Sequence, residues 1–344
     1  MAPAMESGDR FEFDSAEIEM DAPLRPPPGR EEPQEEQVEA PEPLEDLAES
    51  VDLPPIPAGE PPARERDVHE VPPEPVRRRR RRETLSRVLW AVPWIVFAIL
   101  IIAAGGLTFT VALIGLGVIG LREFFRMTEA WRPLAPAAYL MLGAMLLGAH
   151  YGDQFQVLLF LVLGFPVMFI IASRRVDREG ITTSVALTIF ATAWIALPLV
   201  HTVLLRDLPL HGAGLLVDVL VATFIADTAA YAAGRMFGNR RITPRLSPNK
   251  TFEGLLGGFV GGTLGFWFAG LYQDWLSGVD ALAMGAAVAL LAPMGDLFAS
   301  MVKRDLGVKD TGRMFGPHGG LVDRLDAAFF TIVAGYYLSL VLVY

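Results

Sequence analysis

The sequence predicts an all-α, polytopic integral membrane protein with about nine transmembrane helices and a disordered acidic N-terminal tail. The 344 residues are 52% hydrophobic and only 20% charged, whereas charged residues make up about a quarter of a soluble domain. Long apolar runs fill the chain from about residue 88 onward, while acidic residues and prolines concentrate before residue 77. The chain has no cysteine, which excludes a disulfide framework, a thiolate zinc site and a cysteine nucleophile.

The N-terminal segment differs sharply from the rest in composition. Residues 1–76 contain 22 Asp or Glu against 5 Arg, a net charge of −17, and 16 of the 26 prolines. A segment with few aromatic residues and no sustained periodicity cannot bury enough apolar surface to offset its conformational entropy. We therefore predict that residues 1–84 form a disordered, proline-rich tail ending in a basic run, and that residues 85–344 form the membrane domain. The tail is expected to be dispensable for activity.

Apolar stretches account for most of the remaining chain. Several approach the ~20 residues that a helix needs to cross the hydrocarbon layer. The first two are separated only by residues 103–106, so one long bent segment is an alternative there. The nine stretches lie near residues 88–104, 106–121, 134–151, 155–173, 181–205, 212–234, 253–272, 278–299 and 327–344.

Basic residues alternate between the connections in a way that supports this count. Starting from the run at residues 77–82, alternate connections hold 7, 3, 3, 5 and 5 Lys or Arg, and the intervening ones hold 0, 0, 1 and 0, the single exception being Arg206. Short cytoplasmic loops are enriched in Lys and Arg. The pattern predicts a multi-pass protein of the cell (inner) membrane with its N-terminus inside and its C-terminus outside. The bilayer is its surroundings, and no nucleic-acid partner is expected.

The sixth stretch carries an acid among small residues. Asp227, Tyr231 and Gly234 follow one another at helical spacing and share a face. An ionised carboxylate within a membrane helix costs about 2.5–3.5 kcal/mol even on a lenient scale, so it normally faces a cavity or a cation. Asp218 is about half a turn out of phase with Asp227 and is interpreted as structural.

The eighth stretch leads into an unusually mixed connection. Its end reads A-P-M-G-D-L-F-A-S, where Pro293 and Gly295 are expected to break the helix and Asp296 and Ser300 follow at i, i+4. The connection then combines basic, acidic and glycine residues up to Asp326. A cytoplasmic location would account for the basic residues of this connection. It would not account for the acidic residues beside them.

This connection, S-M-V-K-R-D-L-G-V-K-D-T-G-R-M-F-G-P-H-G-G-L-V-D-R-L-D, resembles the signature of the phosphatidate cytidylyltransferase (CDP-diacylglycerol synthase) family at every specified position. Further similarity lies in D-T-A-A-Y-A-A-G-R-M-F-G from Asp227, S-P-N-K-T-F-E-G-L-L-G-G from Ser247, G-D-L from Gly295 and, more loosely, E-F-F-R-M from Glu123. It covers roughly residues 87–344. The departures from the pattern, which touch the shape of loops and remove no carboxylate, are Asn249, Phe252 and the pair Gly316-Pro317.

The resemblance implies that CTP and phosphatidate are converted to CDP-diacylglycerol and pyrophosphate. It also implies Mg²⁺ and a homodimer, and it leaves open whether a second, monovalent cation takes part. Nucleotidyl transfer depends mainly on positioning and charge neutralisation. Because the lipid phosphate is already an anion, no strong general base is needed. We therefore assign His318 to phosphate contact or loop structure.

The carboxylates of the matching motifs are the expected metal ligands, since Mg²⁺ prefers oxygen. Asp296 and Asp323 are the best pair, Asp227 completes the set, and Asp310 and Asp326 are second choices. Capping of the last helix is the alternative role for Asp323 and Asp326. Lys303, Arg304 and Lys309 are expected to act with the acids on the phosphates. The predicted substrate-binding residues are Tyr231, Arg235, Ser247, Lys250, His318, Gly319, Gly320 and Arg324.

Two other classes of function compete with this interpretation. Intramembrane acids and interrupted helices also occur in ion-coupled transporters, but the sequence has no repeated half. A membrane prenol kinase would use CTP to phosphorylate a lipid alcohol, and that chemistry would need a base for a hydroxyl group. The complete signature argues against it.

Overall fold

The computed structural model describes residues 93–176, 179–244, 246–312 and 319–344. The predicted tail, its basic run and His318 lie outside these ranges. Within them the chain is almost entirely helical, and each of the nine apolar stretches coincides with a helix. The helices are α1 (Pro93–Ala104), α2 (Gly106–Met127), α3 (Ala135–Tyr151), α4 (Gln154–Ser173), α5 (Ile181–Arg206), α6 (Gly212–Phe237), α7 (Phe252–Gly270), α8 (Gly278–Asp305) and α9 (Val322–Leu342).

Six of these helices are long and apolar enough to cross a membrane, namely α2, α4, α5, α6, α8 and α9. The protein is therefore an all-α, multi-pass membrane protein, as the composition predicts. The other three are shorter or richer in glycine, so the count of nine spans stays a prediction. A short 3-10 helix, Glu129–Trp131, lies between α2 and α3.

The first two apolar stretches are separate helices. Gly105 and Gly106 both have positive φ, 59° and 53°, a conformation that glycine adopts without strain. The Arg206 guanidinium lies in this corner and donates from Nε and Nη2 to the Ile102 carbonyl oxygen, each at 3.3 Å. The exceptional basic residue of the charge pattern thus satisfies a carbonyl group at the end of α1.

A short antiparallel hairpin follows α6 and was not predicted from the sequence. Its strands are β1 (Arg241–Thr243) and β2 (Ser247–Thr251), with Thr243 opposite Ser247. The Thr251 hydroxyl accepts the Gly254 N–H at 3.1 Å and so caps α7. Glu253, in the first turn of α7, accepts the N–H groups of Asn239 and Arg240. The S-P-N-K-T segment is therefore fixed to the start of α7.

Helices α6 and α7 pack closely through small residues. An added Cβ at Gly258 would lie 2.9 Å from the Ala230 Cβ and 3.0 Å from the Ala226 carbonyl oxygen. Gly254 and Gly262 face α6 in the same way, so these glycines, four residues apart, let the two helices pack closely. This contact holds the helix that carries Asp227 beside the hairpin that carries Lys250.

Helix α8 runs from Gly278 to Asp305 through Pro293 without interruption. The prediction that Pro293 and Gly295 break the helix is therefore wrong. Membrane helices tolerate proline because nearby groups satisfy the freed backbone atoms. Gly295 has a different role, since a Cβ there would collide with the Asp326 carbonyl oxygen. It lets α9 approach α8 closely at the level of Asp326.

Aromatic side chains fill the core beside these helix ends. Trp194 lies in a π-helical turn of α5, Thr192–Ala196, and its ring lies 6.1 Å from Phe124 and 5.5 Å from Phe298. Phe298 in turn contacts Phe330 of α9 at 5.5 Å. The cluster ties α2 and α5 to α8 and α9, the two helices that carry the acidic residues of the signature.

Candidate active site

Three carboxylates from different helices lie within electrostatic range of one another. Asp227 of α6 interacts with Asp296 of α8, and Asp326 of α9 interacts with both. Because their negative charges repel one another, they need positive charge nearby to be stable together. In the part of the chain that the structure describes, no three acidic or histidine side chains form a ready-made metal cluster.

Lys250 supplies positive charge from the hairpin. Its Nζ lies 2.7 Å from Asp296 Oδ2 and 3.5 Å from the Pro293 carbonyl oxygen. The Ser300 hydroxyl lies 3.4 Å from the other Asp296 oxygen, the long end of a hydrogen bond. A residue predicted to bind substrate and a residue predicted to bind metal are thus in direct contact.

A second Lys–Asp pair joins α8 to α9. Lys303 Nζ lies 2.7 Å from Asp323 Oδ1, with side chains only 12% and 10% exposed. Asp323 Oδ2 accepts the Thr311 N–H at 2.8 Å, the Thr311 hydroxyl at 3.0 Å and the Gly320 N–H at 2.9 Å. Asp323 therefore holds Thr311 and Gly320 of the connection between α8 and α9, besides neutralising Lys303.

Glycine permits the backbone turns that close this loop. Gly307 ends α8 with φ 70°, and Val308 N–H then donates to the Lys303 carbonyl oxygen at 2.9 Å. Gly319 has φ 83°, and a Cβ there would lie 2.7 Å from Asp323 Oδ2. The Gly320 N–H is already bonded to Asp323, so contact between this glycine pair and phosphate stays a prediction.

Most of the other predicted residues that the structure describes are exposed. Tyr231 lies one turn beyond Asp227 on α6, and its hydroxyl accepts a hydrogen bond from Arg235 Nη1 at 3.0 Å. Arg304 donates to the Val308 carbonyl oxygen at 3.3 Å. The remaining predicted members are Ser247, which is half-buried in β2, and Lys309, Asp310 and Arg324, which are exposed.

One buried acid beside the signature loop was missed as a functional residue. Glu123, near the end of α2, is 5% exposed. Its carboxylate accepts the N–H groups of Leu321 and Val322 at 2.9 and 3.0 Å. The Thr311 hydroxyl, whose single hydrogen it shares with Asp323, lies 3.2 Å away. The sequence signal was an acid amid the apolar residues at the end of the second stretch. The E-F-F-R-M segment resembles the family only loosely.

Asp218 differs from these acids. It is fully buried on α6, accepts the Tyr272 hydroxyl at 3.2 Å and also bonds Gln273. Both partners come from the connection between α7 and α8, so the contacts fit the structural role predicted for it.

The arrangement of α6, α8, α9 and the hairpin combines two chemical capacities. Clustered carboxylate oxygens suit a hard divalent cation such as Mg²⁺. Lysine ammonium groups suit phosphate oxygens, because each carries three donors and its partner carboxylate uses only part of them. A polyanionic substrate and a divalent ion would both find complementary charge here.

Comparison with known proteins agrees with this chemistry. A family model described as the cytidylyltransferase family matches residues 85–342. A phosphatidate cytidylyltransferase of Synechocystis sp. is 33% identical over 293 residues, covering 75% of this chain and 97% of that protein. Proteins of the same name from Mycobacterium leprae and Thermotoga maritima are 36% and 37% identical, over 43% and 36% of this chain and 47% and 48% of their own lengths.

Proposed function

The chain belongs to the cytidylyltransferase family, and we propose that it transfers the cytidylyl group of CTP to phosphatidate, giving CDP-diacylglycerol and pyrophosphate for phospholipid synthesis. The observation that carries this proposal is the pair of Lys–Asp contacts, Lys250 with Asp296 and Lys303 with Asp323, with Asp227 and Asp326 in electrostatic range of them. Few membrane proteins would place so many charges together unless charged reactants meet there.

The reaction exchanges one phosphoanhydride bond for another. A phosphate oxygen of phosphatidate bonds to the α-phosphorus of CTP. The bond from that phosphorus to the oxygen bridging to the β-phosphorus breaks, and pyrophosphate leaves with the electron pair. Since the attacking oxygen is already anionic, the residues mainly orient the reactants and offset their charge. Lys250 and Lys303 would neutralise the triphosphate, with Arg304, Lys309 and Arg324 at its outer edge.

Asp227, Asp296 and Asp326 are the residues that would hold Mg²⁺, because they provide carboxylate oxygens within electrostatic range of one another and an excess of negative charge. Their side chains would have to draw together around the ion, since they form no ready-made cluster among the described residues. When bound, the ion would neutralise charge on the phosphates. Asp323, also predicted as a ligand, would have to exchange part of its bonds to Lys303 and Thr311 to join them. The described residues assign no place to a second, monovalent cation.

The site would face the cytoplasm of a cell with the protein in its inner membrane. The support is the distribution of basic residues, because 23 of the 24 Lys and Arg after residue 76 fall on the side of the site. Cytoplasmic CTP would then reach it from water and phosphatidate from the bilayer. A homodimer, which the family resemblance implies, is the assembly we propose.

Labelled CTP tests this function directly. Membranes containing the protein are incubated with phosphatidate and with CTP labelled either in the cytosine ring or at the γ-phosphate. Ring label in the lipid fraction is the expected result. Label from the γ-phosphate in lipid would instead identify a CTP-dependent lipid kinase. Neither label in lipid would leave a transporter as the surviving hypothesis and refute the proposed reaction.

A further inference from the structure

The buried carboxylate of Glu123 lies far from the signature loop in sequence but directly against it in space. It belongs to α2, whereas the groups that it binds, Thr311, Leu321 and Val322, lie 188 to 199 residues later. The N-cap residue of α9, Leu321, has no side-chain hydrogen bond of its own to the helix end. The first N–H groups of a helix have no partner within the helix and favour a negative charge nearby. Glu123 provides that charge for α9.

The two carboxylate oxygens of Glu123 have distinct partners. Oε1 accepts the Leu321 N–H at 2.9 Å, and Oε2 accepts the Val322 N–H at 3.0 Å. Both oxygens must therefore be acceptors. The fit is also tight, because an added Cβ at Gly312 would lie 2.6 Å from Oε1, and one at Gly320 would collide with Oε2. The loop on both sides closes around this carboxylate.

Thr311 connects Glu123 to the Lys–Asp pair. Its hydroxyl lies 3.2 Å from Glu123 Oε2 and 3.0 Å from Asp323 Oδ2, and its N–H donates to the same Asp323 oxygen. Val322, the residue immediately before Asp323, is held by Glu123 through its N–H group. The position of Asp323, and with it that of Lys303, thus depends on Glu123 by two routes.

We propose that Glu123 is a positioning residue of the active site, which fixes the loop between α8 and α9 so that Asp323 and Lys303 keep their places for the reaction. The inference rests on the proposed cytidylyl transfer for its effect on catalysis. Its structural part, that Glu123 holds the loop, is independent of the substrate. Glu123 acts through other residues and does not contact the reactants itself.

Three variants test the proposal. In Glu123→Gln the side chain keeps its size, but the amide has one acceptor oxygen, so its NH₂ group must face one of the two N–H donors. In Glu123→Asp both acceptors remain on a side chain shorter by one methylene. Glu129→Gln removes the same charge from an exposed position in the neighbouring 3-10 helix and is the matched control.

The first measurement is steady-state kinetics of the purified full chain. Glu123→Gln is expected to lower kcat by about 10- to 100-fold, as loss of supporting hydrogen bonds to active-site residues typically does. KM for phosphatidate should stay unchanged. Glu123→Asp should recover part of the loss, and Glu129→Gln should match the wild type. Wild-type kcat in Glu123→Gln, or kcat and KM changing together with a general loss of thermal stability, would overturn the proposal.

The second measurement needs no substrate. Lys309 is exposed in the loop, so tryptic cleavage after it reports whether the loop is held. Cleavage there should be faster in Glu123→Gln than in the wild type and the control, while other sites are cut at the same rate. Equal cleavage in all variants would refute the anchoring role. If the wild type transfers no label from CTP yet the cleavage difference appears, the proposed reaction fails and the anchor stands.

Discussion

Lys250 and Lys303 of the site are each in direct contact with a carboxylate. Lys250 lies 2.7 Å from Asp296 and Lys303 lies 2.7 Å from Asp323. An ammonium group has three N–H donors, so each lysine can keep its aspartate and still donate to a phosphate oxygen. The pairs would therefore hold the lysines ready, and a polyanionic substrate would add to these contacts without displacing them.

Removal of single charges tests this arrangement at Asp296. Asp296→Asn keeps the size of the side chain but removes the charge that pairs with Lys250 and that would hold Mg²⁺. We expect Mg²⁺-dependent cytidylyl transfer to fall by about 100-fold, with unchanged membrane insertion. Asp274→Asn, an exposed acid in the connection between α7 and α8, is the control and should retain full activity.

Asp323→Asn should have a comparable effect for a partly different reason. The amide would turn a donor toward either Lys303 or the N–H groups of Thr311 and Gly320. The ion pair would be lost, and the hydrogen bonds that hold the loop would be weakened. Activity is measured at several Mg²⁺ concentrations. Near wild-type turnover in both Asp296→Asn and Asp323→Asn would contradict the assignment of these acids to the site.

The candidate site residues could be selected from sequence, but their pairing could not. The motifs that resemble the family's signature selected Asp296, Lys303 and Asp323 as candidates. Which lysine meets which acid depends on how α8, α9 and the hairpin pack. Glu123 was missed for the same reason, since its partners lie almost 200 residues away and no local pattern reveals them.

At the scale of elements, glycine determines where the helices can meet. The Gly254, Gly258 and Gly262 face of α7 receives Ala226 and Ala230 of α6, and Gly295 brings α8 against α9 at Asp326. Small residues allow this approach because packing, not the hydrophobic effect, drives association between helices in lipid. The acids on these helices come together as a consequence.

Gly258→Leu tests the contact between α6 and α7. The new side chain would meet the Ala230 Cβ and the Ala226 carbonyl oxygen, and overpacking of this kind typically costs about 1–3 kcal/mol. We expect a lower unfolding temperature in detergent together with lower activity, since Asp227 would move away from Lys250. Gly143→Leu on α3 is the matched control, because nothing lies within 4 Å of a Cβ there. Equal melting of both variants would contradict a packing role for Gly258.

Two features, the uninterrupted helix α8 and the β1–β2 hairpin, were not predicted from the sequence, and each has an identifiable reason. Proline and glycine are strong signals of a helix end in water, yet α8 continues through Pro293 because the surroundings in a membrane protein make up for the lost N–H donor. The β1–β2 hairpin has only three and five residues, too few to show an alternating pattern. Its position depends on Thr251 and Glu253 at the start of α7.

At the scale of the whole molecule, charge is separated along the chain and between its connections. Residues 1–76 carry a net charge of −17, and residues 77–344 carry a net charge of +7. Of the 24 Lys and Arg after residue 76, 23 lie in alternate connections. Such a bias sets the orientation of a membrane protein. The active site and the basic connections should thus share the cytoplasmic side.

The absence of cysteine makes this topology straightforward to test. Asp305→Cys places a thiol at the end of α8, on the side of the site, and Asp274→Cys places one between α7 and α8; both positions are exposed. A membrane-impermeant maleimide added to intact cells should label Asp274→Cys alone, and permeabilised cells should show labelling of both. Labelling of Asp305→Cys in intact cells would invert the proposed orientation.

Removal of the tail tests the division of the chain into two parts. Every carboxylate and lysine assigned to the site lies between Glu123 and Asp326, so deletion of residues 1–76 should leave the specific activity of cytidylyl transfer largely intact. A second deletion, of residues 1–84, also removes the arginine run at residues 77–82. That run is expected to hold the N-terminus inside, so the longer deletion should reduce the fraction of correctly oriented protein, as measured by maleimide labelling at position 274. A shorter deletion that inserts normally but has no activity would mean that the acidic segment contributes to catalysis.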